Sequence, residues 1–186
     1  DHEKTIIKKE NYCHQSGEYM EDHANPSEEH LMLREMIRDF TQEFVEPQAH
    51  EFDKKEQFNL DLFRQLGELG LLGITVPEEY GGSGLDAVAA TIAHEELSYS
   101  DPGFTLAYLA HSMLFVNNLA QNGSDEQKIR ILPKVCSGEW IGAMAMSEPD
   151  AGTDVLGLST TAQKNDAGDW ILNGRKMWIT NGCIDD

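Results

Sequence analysis

Cysteine, positive charge and long apolar runs are all scarce in this sequence of 186 residues. The three cysteines, Cys13, Cys136 and Cys183, predict neither a disulfide framework nor a CxxC metal pair, and they suit a reducing compartment. Lysine and arginine number 14 against 33 acidic residues, giving a formal net charge of −19. This excess argues against nucleic acid or anionic lipid as the main partner. No apolar run approaches the ~18–20 residues of a transmembrane helix, so we predict no membrane span.

The rest of the composition is typical of a folded globular protein. Hydrophobic residues make up 40% and charged residues 25%, which excludes wholesale disorder. Residues 1–24 carry many charges and few apolar side chains, so we predict a flexible N-terminal segment there. The sequence does not start with Met and ends on Asp186, and we expect a fragment or a processed product.

Residues 25–137 show the spacing of amphipathic helices. Asn25 and Pro26 predict a helix start, because Asn is a common N-cap and Pro fits the first helical position. Apolar residues then recur every three or four positions, and Pro47 is expected to kink this helix. Further helices are predicted from about Leu60, from Asp86, from Phe104 to Asn122, and from Ser124 to near Pro133. We therefore predict an N-terminal all-α domain over residues 25–137.

The sequence pattern changes after Gly138. Asp166 to Asp169 predicts a turn, and so does Asn173-Gly174. Three stretches that are apolar or rich in Thr, Ile and Trp favour strands, namely residues 140–146, 158–164 and 170–180. We assign residues 138–186 to the first part of a β-barrel or β-sandwich domain. The predicted fold class is α+β, with a helical domain followed by a partial middle β domain.

Familiar catalytic patterns are weak in this sequence. Gly82 to Ala87 matches the GxGxxG/A of dinucleotide-binding loops, but a helix follows where such a site needs a second strand. A loop with glycine-dependent turns is the better interpretation. His111 and Ser112 are neighbours on a predicted helix and do not face each other, so we predict no hydrolase and expect His111 to be a hydrogen-bonded helix residue. The neighbouring acids Glu78-Glu79, Glu95-Glu96 and Asp185-Asp186 diverge on a helix or strand, and most are interpreted as solvated charge.

Two segments of the β half place polar side chains next to apolar ones. The first, Met144 to Asp154, gathers hydroxyls, acids, Pro and Gly in one tight turn, which either holds a planar ring or phosphate or is a plain β-turn. The second, Lys176 to Gly182, would place Trp178 and Thr180 on one face of a strand. An aromatic plate beside a hydroxyl suits a flat heteroaromatic ligand, and a core tryptophan is the other interpretation.

Taken together, the two segments resemble the acyl-CoA dehydrogenase family. The resemblance rests on MSEPDAGTD at 146–154 and KMWITNG at 176–182, and upstream on LGELGLLGITVPEEYGGSGLD and AHSMLFVNNLAQNGSDEQKIRILPKVCSGEWIGAM. It runs from about Asn25 to Gly182 and is greatest to the isovaleryl-CoA dehydrogenase-like and short-chain branch. It implies a helical N-terminal domain, a middle β domain and a C-terminal helical domain, the last of which we expect to be absent from this chain.

The resemblance also implies FAD as the cofactor, held against the two segments. Ser147 would hydrogen-bond the pyrimidine side of the flavin ring, Trp178 would pack against the ring, and Thr180 would hydrogen-bond near N5. Thr153 would also lie on the acyl-CoA side. The implied FAD-binding residues are Met144, Ala145, Met146, Ser147, Gly152, Thr153, Trp178, Ile179 and Thr180. No metal site is predicted.

The implied reaction is the α,β-dehydrogenation of an acyl-CoA thioester, with FAD accepting the hydride and electron-transfer flavoprotein accepting the electrons. The family's glutamate base comes from the C-terminal helical domain, so we assign no catalytic residue and expect the chain alone to be inactive. The implied full-length protein is a homotetramer, mitochondrial in a eukaryote and cytoplasmic in a bacterium. The alternative function is a non-catalytic helical module that binds a partner through its partial β half.

Overall fold

The computed structural model describes residues 24–184, so the flexible segment predicted for residues 1–24 lies almost wholly outside the described part. Helix α1 spans Glu28–Phe40, and the Ser27 hydroxyl caps it by accepting a hydrogen bond from the His30 N–H at 3.2 Å. Asn25 instead accepts a hydrogen bond from Arg34 Nε at 2.7 Å. The helix start predicted at Asn25 is therefore wrong, because only Ser27 is placed to cap.

Helix α1 continues through a wider turn into α2. Residues Thr41–Val45 form a π-helical turn, and α2 spans Glu46–Lys55. The Glu46 N–H donates to the Thr41 carbonyl, one position further back than in an α-helix. Pro47 has no N–H, and its ring crowds the carbonyl of the preceding turn, so the wider turn accommodates the proline. The kink expected at Pro47 takes this form.

The remaining helices follow at short intervals. They are α3 Leu60–Glu68, α4 Ala87–Ser100, α5 Pro102–Leu109, α6 Asn118–Asn122 and α7 Asp125–Cys136. A π-helical segment, Ala110–Asn117, joins α5 to α6, so a continuous helical rod runs to Asn122 as predicted. Helix α7 begins at the Ser124 capping box and continues past Pro133, beyond its predicted end. No helix within the described range is both long and apolar enough to cross a membrane.

The helices enclose two apolar clusters. The larger one lies between α1, α3, α4 and α5, with Phe63, Leu66 and Tyr108 fully buried in it. The Phe63 ring makes edge contacts with the rings of Phe104 and His111, with centroids 6.0 Å and 5.4 Å away. The smaller cluster consists of Val76, Val116, Leu132, Val135 and Cys136. Burial of these side chains supplies the main driving force for folding of the helical part.

The β part holds one hairpin among residues 24–184. Strand β1, Thr161–Lys164, pairs antiparallel with β2, Trp170–Asn173, and the turn predicted between them is confirmed. Every residue of both strands is exposed. Residues 141–147 form no strand in the described part, the predicted strand over 158–164 begins only at Thr161, and the predicted strand over 170–180 ends at Asn173. Of the three predicted strands, the first is therefore wrong and the other two are too long, because strand-forming side chains also need a neighbouring strand to pair with.

Candidate functional site

The structure brings the two motif segments together at one surface beyond the helices. The Met177 N–H donates to the Ser147 carbonyl at 3.0 Å. Lys176 Nζ donates to the Met146 carbonyl at 2.9 Å and to Glu148 Oε1 at 2.8 Å. Residues 146–148 and 176–177 are therefore cross-linked by one main-chain bond and one lysine. We call this set of contacts the motif cross-link.

Glu148 is the buried acceptor at the centre of the motif cross-link. Besides Lys176, its carboxylate accepts hydrogen bonds from the Ser159 N–H at 2.6 Å, the Ser159 hydroxyl at 2.8 Å and the Thr160 N–H at 3.0 Å. The Lys176 ammonium, with the hydrogen bonds from Thr160 and Ser159, holds the pKa of this carboxyl far below its usual range. Glu148 is thus an ionised, fully engaged structural group and a poor proton acceptor.

The tight turn predicted after Met146 is present. The Glu148 N–H donates to the Ala151 carbonyl at 2.9 Å, and the Ala151 N–H returns a bond to Glu148 at 3.2 Å. Gly152 and Thr153 follow on the exposed side, and a Cβ added at Gly152 would meet nothing within 4 Å. The turn itself therefore does not require glycine at position 152, and space remains beside it.

The strand geometry predicted for Trp178 and Thr180 is wrong. Trp178 has the left-handed φ of 58°, which a regular strand does not contain, and Thr180 lies in a turn. The two residues therefore share no strand face. Trp178 is 84% exposed, so the other interpretation of this segment, a core tryptophan, does not hold in this chain. Its exposure leaves an aromatic surface next to the motif cross-link.

Several hydroxyls of the two segments have no partner in the chain as described. Over residues 24–184, the side-chain hydroxyls of Ser147, Thr153 and Thr180 make no hydrogen bond. Met146 is 41% exposed beside them, and Ile179 is half-buried. Unpaired hydroxyls beside an exposed indole and an exposed thioether fit a flat, polar-edged aromatic ring such as a flavin.

The rod from α5 to α6 holds both segments through one glycine. The Gly142 N–H donates to His111 Nδ1 at 2.8 Å, and the Gly142 carbonyl accepts from Asn181 Nδ2 at 3.2 Å. Asn181 Nδ2 also donates to the Ala107 carbonyl at 2.9 Å. His111 is fully buried, and burial lowers its pKa to about 4. The prediction that His111 is a hydrogen-bonded helix residue is confirmed.

Some residues of this surface were absent from the predicted site. Lys176, Glu148 and Asn181 lie inside the two motifs, but spacing along the chain gives no sign of their contacts. A lysine next to an apolar pair, and a glutamate that precedes a proline in an apolar run, are the only local signals. Elsewhere, two cavities of about 380 Å³ each lie in the helical part, and neither is lined by a predicted site residue.

Two family models match this chain. The acyl-CoA dehydrogenase N-terminal domain matches residues 27–139, and the acyl-CoA dehydrogenase middle domain matches residues 143–186. The first match alone covers more than half of the sequence. The chain belongs to the acyl-CoA dehydrogenase family.

Individual relatives agree with this assignment. The chain is 48% identical over 158 residues to a mitochondrial isovaleryl-CoA dehydrogenase of Pongo abelii, an alignment that covers 84% of this chain and 37% of that protein. A Bacillus anthracis acyl-CoA dehydrogenase complexed with FAD matches with a TM-score of 0.77 at 40% identity, covering 86% of this chain and 28% of that one. An electron transferring flavoprotein of Acidaminococcus fermentans matches with a TM-score of 0.79 at 39% identity, covering 84% and 41%.

These similarities also define how much of the family's architecture is present. The chain spans 37% of the length of the Pongo abelii relative. The predicted α+β class, a helical domain followed by the start of a sheet, is confirmed, as is the resemblance to the isovaleryl-CoA dehydrogenase-like branch.

Proposed function

We propose that this chain forms the helical domain and the flavin-facing part of the middle domain of an FAD-dependent acyl-CoA dehydrogenase. The reaction is the α,β-dehydrogenation of an acyl-CoA thioester, with FAD as hydride acceptor and electron-transfer flavoprotein as the next electron acceptor. The observation that carries the proposal is the motif cross-link, which joins the two family segments and leaves Trp178 exposed beside them. Family membership supplies the reaction class.

The chain's own residues would bind and orient the flavin. Ser147 offers a hydroxyl to the polar edge of the ring, Thr180 offers one near N5, and Trp178 packs its indole against the ring face. Thr153 lies on the acyl-CoA side. The other contacts come from Met144, Ala145, Met146, Gly152 and Ile179. When bound, FAD supplies the hydride-accepting chemistry, which no side chain provides.

Proton abstraction is assigned to no residue of this chain. Glu148 is the acid next to Ser147, but its carboxylate is ion-paired with Lys176 and its lowered pKa makes it a weak base. The chain by itself should therefore give no acyl-CoA-dependent dye reduction in the presence of FAD. Substrate-dependent reduction of the dye by the purified chain would contradict this assignment.

The flavin contacts are tested by titrating the chain with FAD and following flavin fluorescence. Because an aromatic stacking partner contributes roughly 1–3 kcal/mol, Trp178→Ala should weaken FAD binding by about fivefold to 150-fold. Trp170→Ala is the matched control, since Trp170 is 63% exposed on the hairpin outside the proposed site. Equal affinities of the two variants, or no binding by the unsubstituted chain, would overturn the assignment.

The remaining parts of the proposal concern the full-length protein. We place the domain boundary between residues 137 and 138, and we expect a homotetramer. A location in the mitochondrial matrix is proposed for a eukaryotic source and in the cytoplasm for a bacterial one. Size-exclusion chromatography with light scattering on the complete reading frame tests the assembly.

One observation favours the alternative function, a non-catalytic helical interaction module. The hairpin region exposes Leu156, Leu172 and Trp170, at 95%, 72% and 63% of their surface. A module of this kind would bind no flavin. Tight, Trp178-dependent FAD binding would exclude it, whereas its absence would favour it.

A further inference from the structure

We propose that His111 and Asn181 are positioning residues that hold the two flavin-facing segments in register on the α5–α6 rod. This inference rests on the proposed function, because the segments are those assigned to FAD. The contacts involved are those of Ala107, His111, Gly142 and Asn181, which we call the Gly142 clamp. Neither His111 nor Asn181 is among the residues assigned to touch the cofactor.

The Gly142 clamp engages both polar groups of one residue. The Gly142 N–H donates to His111 Nδ1 at 2.8 Å, and its carbonyl accepts from Asn181 Nδ2 at 3.2 Å. Gly142 lies two positions before Met144, and Asn181 directly follows Thr180. One clamp therefore fixes the entrance to the first segment and the exit of the second.

Gly142 packs directly against the α5–α6 rod, where a larger side chain would clash. A Cβ at this position would overlap the ring of Phe115, so any other residue here would force that side chain to move. Phe115 and His111 both lie on the π-helical segment Ala110–Asn117. Segments of this kind occur frequently at functional sites, and here the segment carries the groups that meet Gly142.

His111 is held in one tautomer by its two partners. Since the Gly142 N–H donates to Nδ1, the ring proton must lie on Nε2, which donates to the Val135 carbonyl at 3.0 Å. The side chain is fully buried, and burial lowers its pKa to about 4, so the ring stays neutral at neutral pH. The neutral imidazole, with one hydrogen bond on each ring nitrogen, therefore connects α7 to Gly142 in a fixed orientation.

Asn181 suits its position in two independent ways. Its φ of 66° lies in the left-handed region, which Asn tolerates better than most residues. Its amide NH₂ group has two donors, and both are used, one on Ala107 and one on Gly142. Aspartate at this position would have the same shape but no donor, and it would face two carbonyl oxygens.

The short segment from Trp178 to Thr180 lies between two fixed contacts. Trp178 to Thr180 is bounded on one side by the Met177 N–H bond to Ser147 and on the other by the Asn181 side chain. Loss of the second anchor frees one end of this short segment. Asn181 itself contributes only hydrogen bonds to the carbonyls of Ala107 and Gly142, so its loss leaves the apolar packing of the helical core in place.

The test compares Asn181→Gly, Asn181→Asp and His111→Gln in the 186-residue chain. Asn181→Gly keeps the left-handed backbone favourable and removes the whole side chain with its two amide donors, whereas Asn181→Asp keeps the side-chain shape and removes the donors alone. The matched control is Asn122→Asp, because Asn122 is an exposed Asn whose amide bonds stay within one helix. Amide hydrogen exchange is read at Gly142 and Met177, with Ile92 and Leu97 as reporters of the helical core. FAD affinity is measured by titration on the same samples.

We expect Asn181→Gly and Asn181→Asp to speed exchange at Gly142 and Met177 about tenfold and to weaken FAD binding by a similar factor, since two hydrogen bonds are lost. His111→Gln should speed exchange at Gly142. Exchange at Ile92 and Leu97 should be unchanged in both Asn181 variants, and Asn122→Asp should match the unsubstituted chain throughout.

Two results overturn the inference, and neither coincides with failure of the proposed function. Unchanged exchange at Gly142 and Met177 in Asn181→Gly would show that the clamp does not hold the segments, whatever the FAD affinity. Faster exchange with unchanged FAD affinity would show that the clamp does not position the flavin contacts. If the unsubstituted chain binds no FAD at all, the proposed function fails as well, while the exchange data still decide whether the clamp exists.

Discussion

The helical region, residues 28–136, and the region from 141 to 184 are held together by different forces. In the first, Phe63, Leu66, Tyr108 and many other apolar side chains are buried in two clusters. Within described residues 141–184, Ala151 is the only buried apolar side chain. Trp178 and Leu156 in this region are almost fully exposed. Hydrogen bonds and an ion pair, those of the motif cross-link and the Gly142 clamp, hold this second region in place.

This difference separates stability from site geometry. Apolar burial is non-directional and tolerates small shifts, so the helical region can act as a stable base. Hydrogen bonds are directional and fix particular atoms, and in this chain they act where the proposed flavin contacts begin and end. Substitutions in the first region should therefore change global unfolding, and substitutions in the second should change local order and ligand affinity.

The largest expected effect comes from Phe63→Ala. Phe63 is fully buried against the rings of Phe58, Phe104 and His111, so truncation should lower the free energy of unfolding by about 3–5 kcal/mol. Urea unfolding followed by far-UV circular dichroism measures it. Leu172→Ala is the control in the second region, where 72% exposure predicts a change within about 0.5 kcal/mol. Similar losses of unfolding free energy in the two variants would contradict the view that apolar burial stabilises only the helical region.

The next effect is a dependence of stability on pH through His111. The folded-state pKa of about 4 lies below the ordinary 6.5, so above pH 6.5 the neutral ring contributes its full stability. As the pH falls from 6.5 towards 4, the unfolded chain binds the proton first, and up to about 3 kcal/mol of unfolding free energy is lost. Burial also lowers the pKa of His94, which adds a loss of the same sign.

His111→Gln isolates that dependence, because glutamine does not titrate. The fall in unfolding free energy between pH 6.5 and 4.5 should be smaller in this variant than in the unsubstituted chain. Carboxylates with lowered pKa values, such as Glu96 and Glu148, lose their contributions mainly below their ordinary pKa of 4.5. An identical slope in both proteins over this interval would show that His111 is not a buried neutral group.

A smaller and local effect is expected from Lys176→Met. The change removes the ammonium that bonds the Met146 carbonyl and Glu148, leaving a buried carboxylate without its counter-ion. Amide exchange at Met177 should become about tenfold faster, while the urea midpoint of the helical region stays the same. Adding Glu148→Gln should restore part of the protection. A fall in the midpoint comparable to that of Phe63→Ala would show that the second region is not separately held.

The smallest expected effect on folding is that of Gly152→Ala. An added Cβ meets no atom within 4 Å, so the unfolding free energy should change by less than about 0.5 kcal/mol. Any loss of FAD affinity in this variant would then report a close approach of the ligand. A clear loss of stability measured without FAD would contradict the open surroundings of this residue.

The helical part of the fold could be predicted from sequence because its signals are local. The Ser124 capping box and the recurring apolar residues of the helices each predict structure within a few residues. The errors also have local causes. Both Asn25 and Ser27 are N-cap residue types, so the sequence did not separate them, and Pro133 is accommodated inside α7.

The strands and the site were predicted less completely, for a different reason. Strand composition identified the hairpin, but the extent of a strand depends on partners that composition does not reveal. The residue types of the two motifs indicate the family, but they do not predict contacts between residues far apart in the chain. Examples are the hydrogen bonds of Lys176 with Glu148 and of Gly142 with His111. The left-handed φ of Trp178 has no signal in residue type, since tryptophan rarely adopts it.

The most direct test of the account is amide-resolved hydrogen exchange of the chain with and without FAD. We predict slower exchange on FAD addition at residues 144–153 and 177–182, and no change in α1 and α4. That pattern would place the flavin on the surface built by the motif cross-link. Unchanged exchange in both segments, or protection confined to the cavity lined by Arg34, Arg38 and Glu96 between α1 and α4, would contradict the central claim.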